Sequence, residues 1–344
     1  MKQHPKQNER LHHILDAFSR VTITVIGDLV ADEFVLGEIS RVSREAPVLI
    51  LKHRERKIVP GGGANAICNL ADLGVNVLPV GVVGDDEAGR TLIKAFRHKR
   101  IPVSGVLKDK SYPTITKSRI LAGMSHTTGQ QVVRLDREPS DPPNAHLRRE
   151  LVLAARKYAR ASDAILVSDY GYGAASPEIV SAVKAKRGLE NVPVMLDSRY
   201  RMLDYSNVAA ATPNEPEVEE LLGTRVGKDW QRLARAGEQL MNRMKLESLV
   251  ITRGKDGMVV FCADRKPVDI PIYGSDEVTD VTGAGDTVIA TYTAALAAGA
   301  DAVEAAHLAN LAGGIVVMKR GTATVTLDEL KHAIERPLPP PRTH

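Results

Sequence analysis

The chain has 344 residues, 43% hydrophobic and 26% charged, which supplies apolar material for a large core and excludes disorder along the whole length. Lys and Arg number 46 against 42 Asp and Glu, a net charge of +4, and aromatic residues make up only 4%, so neither charge nor stacking rings point to nucleic acid. Two cysteines, Cys68 and Cys262, cannot build a disulfide framework, no Cys/His cluster has zinc spacing, and both read as buried, reduced thiols.

Residues 1–20 read as a polar tail and a leading helix, with no apolar signal core in MKQHPKQNERLHH. VTITVIGD (21–28) is a β-branched run ending in a turn, a buried strand. Residues 33–58 alternate loosely and carry many charges, which suits exposed, one-sided strands. GGGANAICNLADLG (61–74) opens on glycines and becomes an apolar-periodic helix; VNVLPVG (75–81) is a strand, and 85–100 is a helix with acids first and bases last. Residues 101–136 return to strand-like pieces. Helices near 144–160, 177–187, 215–222 and 228–245 then alternate with strands at 164–169, 192–197, 208–214 and 248–254, the pattern of parallel strands with crossover helices. Two small-residue helices follow at 283–300 and 301–321. Asp301, Glu304, His307 and Asn310 interrupt the apolar stretch 288–318, so no membrane span is expected and a reducing cytoplasm is the default. The tail 336–344 carries PLPPPRTH, where proline cannot continue a helix. The expectation is one α/β domain over 21–335: a central, mostly parallel sheet between helices, with a small accessory sheet built from about 33–58 and 101–136.

Open parallel sheets bind ligands beyond the carboxyl ends of their strands. Four glycine or acid clusters fall there: Gly27 with Asp28, Gly61 to Gly63, Asn214 to Glu217, and Gly283 to Asp286. In DVTGAGD (280–286) the glycines let backbone approach a ligand, and the following helix aims its first N–H groups at that spot, a setting suited to phosphate. Asp286 in the first turn serves either as a helix cap or as a proton acceptor beside an anion hole. GGGAN (61–65) is either a turn before a helix or backbone exposed to a polyhydroxyl ligand, with Asn65 adding hydrogen bonds. Asp28 and Asp32 suit sugar hydroxyls, or serve a turn. No GxxxxGK[ST] occurs, and the first strand is followed by GDLVAD rather than GxGxxG, which excludes a P-loop enzyme and argues against a dinucleotide dehydrogenase.

GGGANAICNLADLG and DVTGAGDTVIA (280–290), with TPNEPE (212–217) and TRGKDG (252–257) between them, resemble the PfkB, or ribokinase-like, family of carbohydrate kinases over residues 20–330. GDLVADEF (27–34), SRVSREAPV (40–48), PTITKSRIL (113–121), QVVRLDRE (131–138), LVSDYGYGA (166–174) and YGSDEVTDVTGAGDTVIA (273–290) are similar to the branch acting on D-glycero-β-D-manno-heptose 7-phosphate. The resemblance implies a ribokinase-like three-layer α/β/α domain with a small β-sheet lid. It implies ATP-dependent phosphorylation at O1 to the 1,7-bisphosphate, a precursor of ADP-heptose and lipopolysaccharide core. Other members act on ribose, fructose or a nucleoside, and a non-catalytic sugar or nucleotide sensor is the reading from another class.

By the same resemblance Asp286 is the base, and the backbone of Gly283, Ala284, Gly285 and Asp286 is the anion hole. Asp32, Gly62, Gly63 and Asn65 contact the sugar. Asn214 and Glu217 organise Mg²⁺ and phosphate, Glu217 directly or through water. Thr252, Arg253, Gly254 and Gly257 lie near the nucleotide phosphates and Asn310 near the adenine. Asp280 and Thr282 belong to a loop that holds a monovalent cation such as K⁺ in some members; Val281 stands where many carry Thr. A phosphorylated sugar needs cations, and Arg41, Arg44, Lys117, Arg119 and Arg134 lie in or beside the lid. Asp197 and Arg199 stand where near relatives carry Asp-Pro-Lys. Sugar phosphate and ATP are the implied partners, with a homodimer through lid strands. Many relatives are fused to a nucleotidyltransferase domain; in a chain ending near 344 that second activity is expected to be absent.

Overall fold

A computed structural model describes residues 5–123, 129–227, 229–263, 265–274, 280–319, 321–336 and 342. Residues 1–4, 275–279 of the YGSDEVTDV segment and most of the tail 336–344 lie outside the described residues.

Helix α1 (Pro5–Ala17) leads into β1 (Thr22–Gly27), the β-branched run. β2 (Leu29–Val42) and β3 (Leu49–Gly62) form a long hairpin, followed by α2 (Gly63–Asp72), β4 (Asn76–Gly84), α3 (Glu87–His98) and β5 (Val106–Asp109). After β6 (Ile115–Gly123) and β7 (Gln130–Arg137) come α4 (Ala145–Ala159), β8 (Ala164–Asp169), α5 (Pro177–Lys184), β9 (Val194–Ser198) and β10 (Ala210–Ala211). Then follow α6 (Glu215–Leu222), α7 (Trp230–Met244), β11 (Ser248–Thr252), β12 (Met258–Cys262) and β13 (Arg265–Ile270). The small-residue pair is α8 (Ala284–Ala297) and α9 (Ala302–Val317), and α10 (Leu327–Ile334) comes last.

Among the described residues, nine strands form one sheet in the order β13-β12-β11-β10-β9-β8-β1-β4-β5, parallel except for β12 and β13. Period-two alternation builds the layers on either side. Along β1, Ile23 and Val25 pack with α2, α8 and α9, whereas Ile26 packs with α4 and α5. The four-stranded lid, β3-β2-β6-β7, stands apart from this sheet. Its base is buried at Leu29, Val30 and Ala31, while β7 is exposed along almost its whole length. This is the mostly parallel sheet between helices, with a small accessory sheet, that the alternation of elements predicts.

The structure departs from the sequence reading in four places. Residues 106–109 do not belong to the lid: β5 pairs in parallel with β4 through Gly81↔Val106, and lid pairing begins at Ile115. The antiparallel pair β12 and β13 has no counterpart among the expected strands, the last of which is 248–254; it follows the TRGKDG turn that leads from β11 into β12. α10 carries its own start signal, a capping box in which Thr326 and Glu329 bond each other's backbone N–H. Finally, the polar N-terminus is helical from Pro5: Leu11, Ile14 and Leu15 form a buried stripe, and Asn8 Nδ2 donates to Ile334 O of α10 at 3.1 Å. Cys68 is buried, which pushes its thiol up to about 12, but Cys262 is only half-buried.

The leading segment is therefore part of the core. Phe18→Ala, at a fully buried position, should lower the unfolding free energy by about 3–5 kcal/mol. Urea denaturation reads this directly, and an unchanged midpoint would return the segment to the status of a tail.

Candidate functional site

Parallel β1, β8, β9, β10 and β11 end at one edge of the sheet, with Gly27 opposite Ser168 and Ser168 opposite Asp197. That edge gathers Asp28, Asp169, Tyr170, Asp197, Asn214 and Thr252. The N-terminal ends of α2 and α8 meet it from one side.

Asp286 lies in the first turn of α8 and is 2% exposed. Its Oδ1 accepts the Tyr170 hydroxyl at 2.8 Å and its Oδ2 accepts Asn65 Nδ2 at 3.1 Å. Burial pushes its pKa up to about 7; the Tyr170 and Asn65 bonds oppose that rise, as does Lys117, while Asp32 adds to it. Asp286 is not the cap of α8. The cap position is Gly283, which supplies no side-chain bond to the first-turn N–H groups. Gly283 has φ 80, and a methyl there would come within 2.5 Å of Asn65 Nδ2. Asn65 Nδ2 also donates to Gly283 O at 3.2 Å, and the space in front of Gly285 is open. The amides of this turn and a carboxylate able to hold a proton thus share one corner.

Asp28 does something other than meet a ligand. It is fully buried, and its oxygens accept the backbone N–H groups of Tyr170, Tyr172, Ala174 and Ala175 at 2.9–3.3 Å. Burial and the nearby Asp169 raise its pKa to about 6 against those bonds. It serves the turn, fixing the loop after β8 that carries Tyr170.

Asp32, at the lid base, accepts from Arg119 and, at 2.8 Å, from Thr322 Oγ1. The Arg119 guanidinium lies 5.5 Å from the Phe34 ring centre. Lys117 Nζ lies 5.0 Å from the Tyr170 ring centre, and desolvation and Arg199 lower its pKa. Arg134 also acts electrostatically on Lys117, and pairs with Asp136 at 2.9 Å. Arg41 and Arg44 are exposed at the far end of the β2–β3 hairpin. Gly62 has φ 52 and packs so closely that a Cβ would meet Val30 and the Tyr170 ring; Gly63 is buried beside it.

Asn214 and Glu217 form a capping box at α6, each side chain bonding the other's backbone N–H at 2.9 Å. Thr252 N donates to Pro213 O, and Arg253 pairs with Glu215 at 3.0 Å, so the NEPE and TRGKDG segments are joined. Gly254, Gly257, Thr252, Gly285 and Asn310 line one cleft of about 180 Å³ between the β11–β12 turn and helices α8 and α9. Asn310 Nδ2 is occupied by Pro271 O at 2.8 Å. The Asp280 carboxylate accepts from Thr282 N and Gly321 N, closing its loop. The structure therefore brings the four clusters to one edge and leaves Arg41 and Arg44 at the lid tip.

Among the described residues no three His, Cys, Asp or Glu side chains make a metal cage. Mg²⁺ does not require one, since it is held by one or two carboxylates plus substrate phosphates and water. The donors fit that use: burial raises the Glu217 pKa, and Asp197 is held well above the carboxylate range by burial and by Glu217, Asp286 and Asp169. Such a cluster favours a cation between it and a polyphosphate.

Three residues of the site were missed in the sequence: Tyr170, Thr322 and Asn69, which bonds Thr287 of α8 and Val325 N. Tyr170 lies in SDYGYGA, directly after the strand-end acid, and that position was its only signal.

The profile of the pfkB family carbohydrate kinases matches residues 23–329. A protein of Geobacter metallireducens named Bifunctional protein HldE is 41% identical over 313 residues, 90% of this chain but 62% of that relative's length. Arabidopsis thaliana ribokinase, solved with ribose and ATP, superposes with a TM-score of 0.72 at 18% identity, covering 92% of this chain and 99% of that one. Escherichia coli phosphofructokinase-2, solved with substrates and products, gives 0.72 at 17% identity over 91% and 98%. With the family match running from β1 into α10, the chain belongs to the pfkB family of carbohydrate kinases.

Proposed function

We propose that the protein is an ATP-dependent sugar kinase whose acceptor already carries a phosphate, D-glycero-β-D-manno-heptose 7-phosphate phosphorylated at O1, with Asp286 as base. The observation that carries this reading is the α8 corner: a carboxylate with a pKa near 7 beside first-turn amides that no side chain caps. The nucleotide enters the cleft beside Gly254, Gly257 and Asn310, and its terminal phosphate faces Ala284 and Gly285. The sugar lies between Asp32, Gly62, Gly63, Asn65 and Asp286. As the acceptor oxygen bonds to the terminal phosphorus, the bond from phosphorus to the ADP oxygen breaks and the hydroxyl proton passes to Asp286. Helix amides stabilise the charge on the phosphoryl oxygens. Glu217 would hold Mg²⁺, which when bound would supply charge neutralisation for the polyphosphate, and Asp280 would be the residue beside a K⁺. The lid excludes water from the transfer.

Arg199 and Arg134 act electrostatically on Lys117, which lies over the Tyr170 ring, and these three cations suit the phosphate that the acceptor brings. Arg119 is committed to Asp32, and Arg44 would reach a ligand only through lid closure. The lid also supports association of two copies: Val133 and Leu135 on β7 are 52% and 65% exposed, an apolar face that a second lid would cover.

Asp286→Asn should keep fold and ATP binding but lose about 10²–10⁴-fold in kcat; retained turnover would remove Asp286 from the role of base. Because the base must be ionised, kcat/KM should rise with pH through about 7 and then level. Lys117→Met should raise KM for the sugar phosphate by about ten- to a hundredfold with little change for ATP. A panel of heptose 7-phosphate, fructose, ribose and adenosine with product identification decides the acceptor, and absence of ATP consumption with every one would leave a sensor. Leu135→Glu should shift a dimer to monomer in light scattering.

A further inference from the structure

We propose that Tyr170 is the positioning residue of Asp286, setting the plane in which its carboxylate meets the acceptor, and that it ties the base to the lid. Tyr170 touches both sides of the site. Its hydroxyl donates to Asp286 Oδ1 at 2.8 Å, and its ring carries Lys117 of lid strand β6 at 5.0 Å. Its backbone is fixed by Asp28, whose Oδ2 accepts the N–H groups of both Tyr170 and Tyr172. Gly62 lets the ring approach α2, since a Cβ there would stand 3.1 Å from Tyr170 Cε2. A ring held this way places its hydroxyl without rotamer freedom.

The bond has one direction. Burial and the Asp286 charge hold the Tyr170 phenol well above its ordinary value of 10, so it remains a neutral donor. Asn65 Nδ2 occupies Oδ2. Each carboxylate oxygen accepts more than one hydrogen bond, so the pair fixes the plane of the carboxylate and leaves each oxygen with a remaining lone pair of fixed direction for the acceptor hydroxyl. The groups facing Asp286 are Asp32 from β2, Lys117 from β6, Asn65 from α2, Tyr170 from the loop after β8 and Asp197 from β9. Of these, Tyr170 and Asn65 are its hydrogen-bond donors, and Tyr170 also contacts the lid cation Lys117.

The test is Tyr170→Phe, which keeps the ring, the Lys117 contact and the packing and removes one hydroxyl. In the unliganded protein, carboxyl-carbon NMR of Asp286, assigned with Asp286→Asn, should titrate at higher pH in Tyr170→Phe, because a donor to the ionised form is lost. This arm needs no turnover, so it stands apart from the kinase reading on which the proposal rests. In the kinetic arm, kcat should fall about ten- to a hundredfold, KM for ATP should stay within about twofold, and the acid limb of the pH profile should move up with the NMR titration. An unmoved Asp286 titration overturns the proposal. A lowered unfolding midpoint with kcat and both KM values degraded together, and no shift in the pH profile, also overturns it, because Tyr170 would then be a packing residue. Phosphotransfer absent from the wild type with a shifted titration overturns only the kinase reading.

Discussion

The amide of Asn65 joins the N-terminal ends of two helices far apart in sequence. Its nitrogen bonds Gly283 O and Asp286 Oδ2, so α2 and α8 hold each other at the turn where α8 begins. Behind it Asn69 repeats the contact one turn on, accepting from Thr287 and from the backbone of Val325. These are buried polar groups, and their bonds are worth most where water is excluded and cost most if one partner is removed. The glycine at the cap, the open space before Gly285 and the elevated Asp286 all depend on α8 starting at that distance from α2.

The acids at the strand ends divide their labour by depth. Asp28 is spent on four backbone amides and fixes a loop, whereas Asp169 pairs with Arg201 and accepts from Tyr205 and Ser198. Asp32, Asp197 and Glu217 stand nearer the opening, and Asp286 is held between. Burial raises the cost of ionising Asp28, Asp197, Glu217 and Asp286, and neighbouring carboxylates add to it. That is why a cation or a polyphosphate with its metal is electrostatically suited to this edge, and why Lys117 and Arg199 face it.

Much of this was legible in the sequence. Strand and helix alternation gave the parallel sheet, because β-branched runs and capped amphipathic segments have distinct periods. The glycine-opened starts of α2 and α8 pointed to the candidate site, although a plain turn before a helix would use glycines in the same way. Pairing across distance was not legible. Val106 reads like any lid strand until β4 is seen beside it, and Asp28 reads equally as a sugar ligand or a turn residue until the amides of residues 170–175 fold over it. Tyr170 carries no motif of its own; its role comes from where Asp28 and Gly62 place it.

β2 and β3 are each 14 residues long, so at about 3.3 Å per residue each extends about 45 Å from its root. Arg56 fastens the root to Glu33 and to Glu87 of α3, and register shifts at Leu36/Gly37 and Ile39/Arg41 divide the hairpin into a stiff base and an outer blade. The hairpin is a lever. A few degrees of rotation where Asp32 and Lys117 sit would become several ångströms of travel at Arg44, so the length of the hairpin would amplify small rearrangements at its base mechanically at the rim.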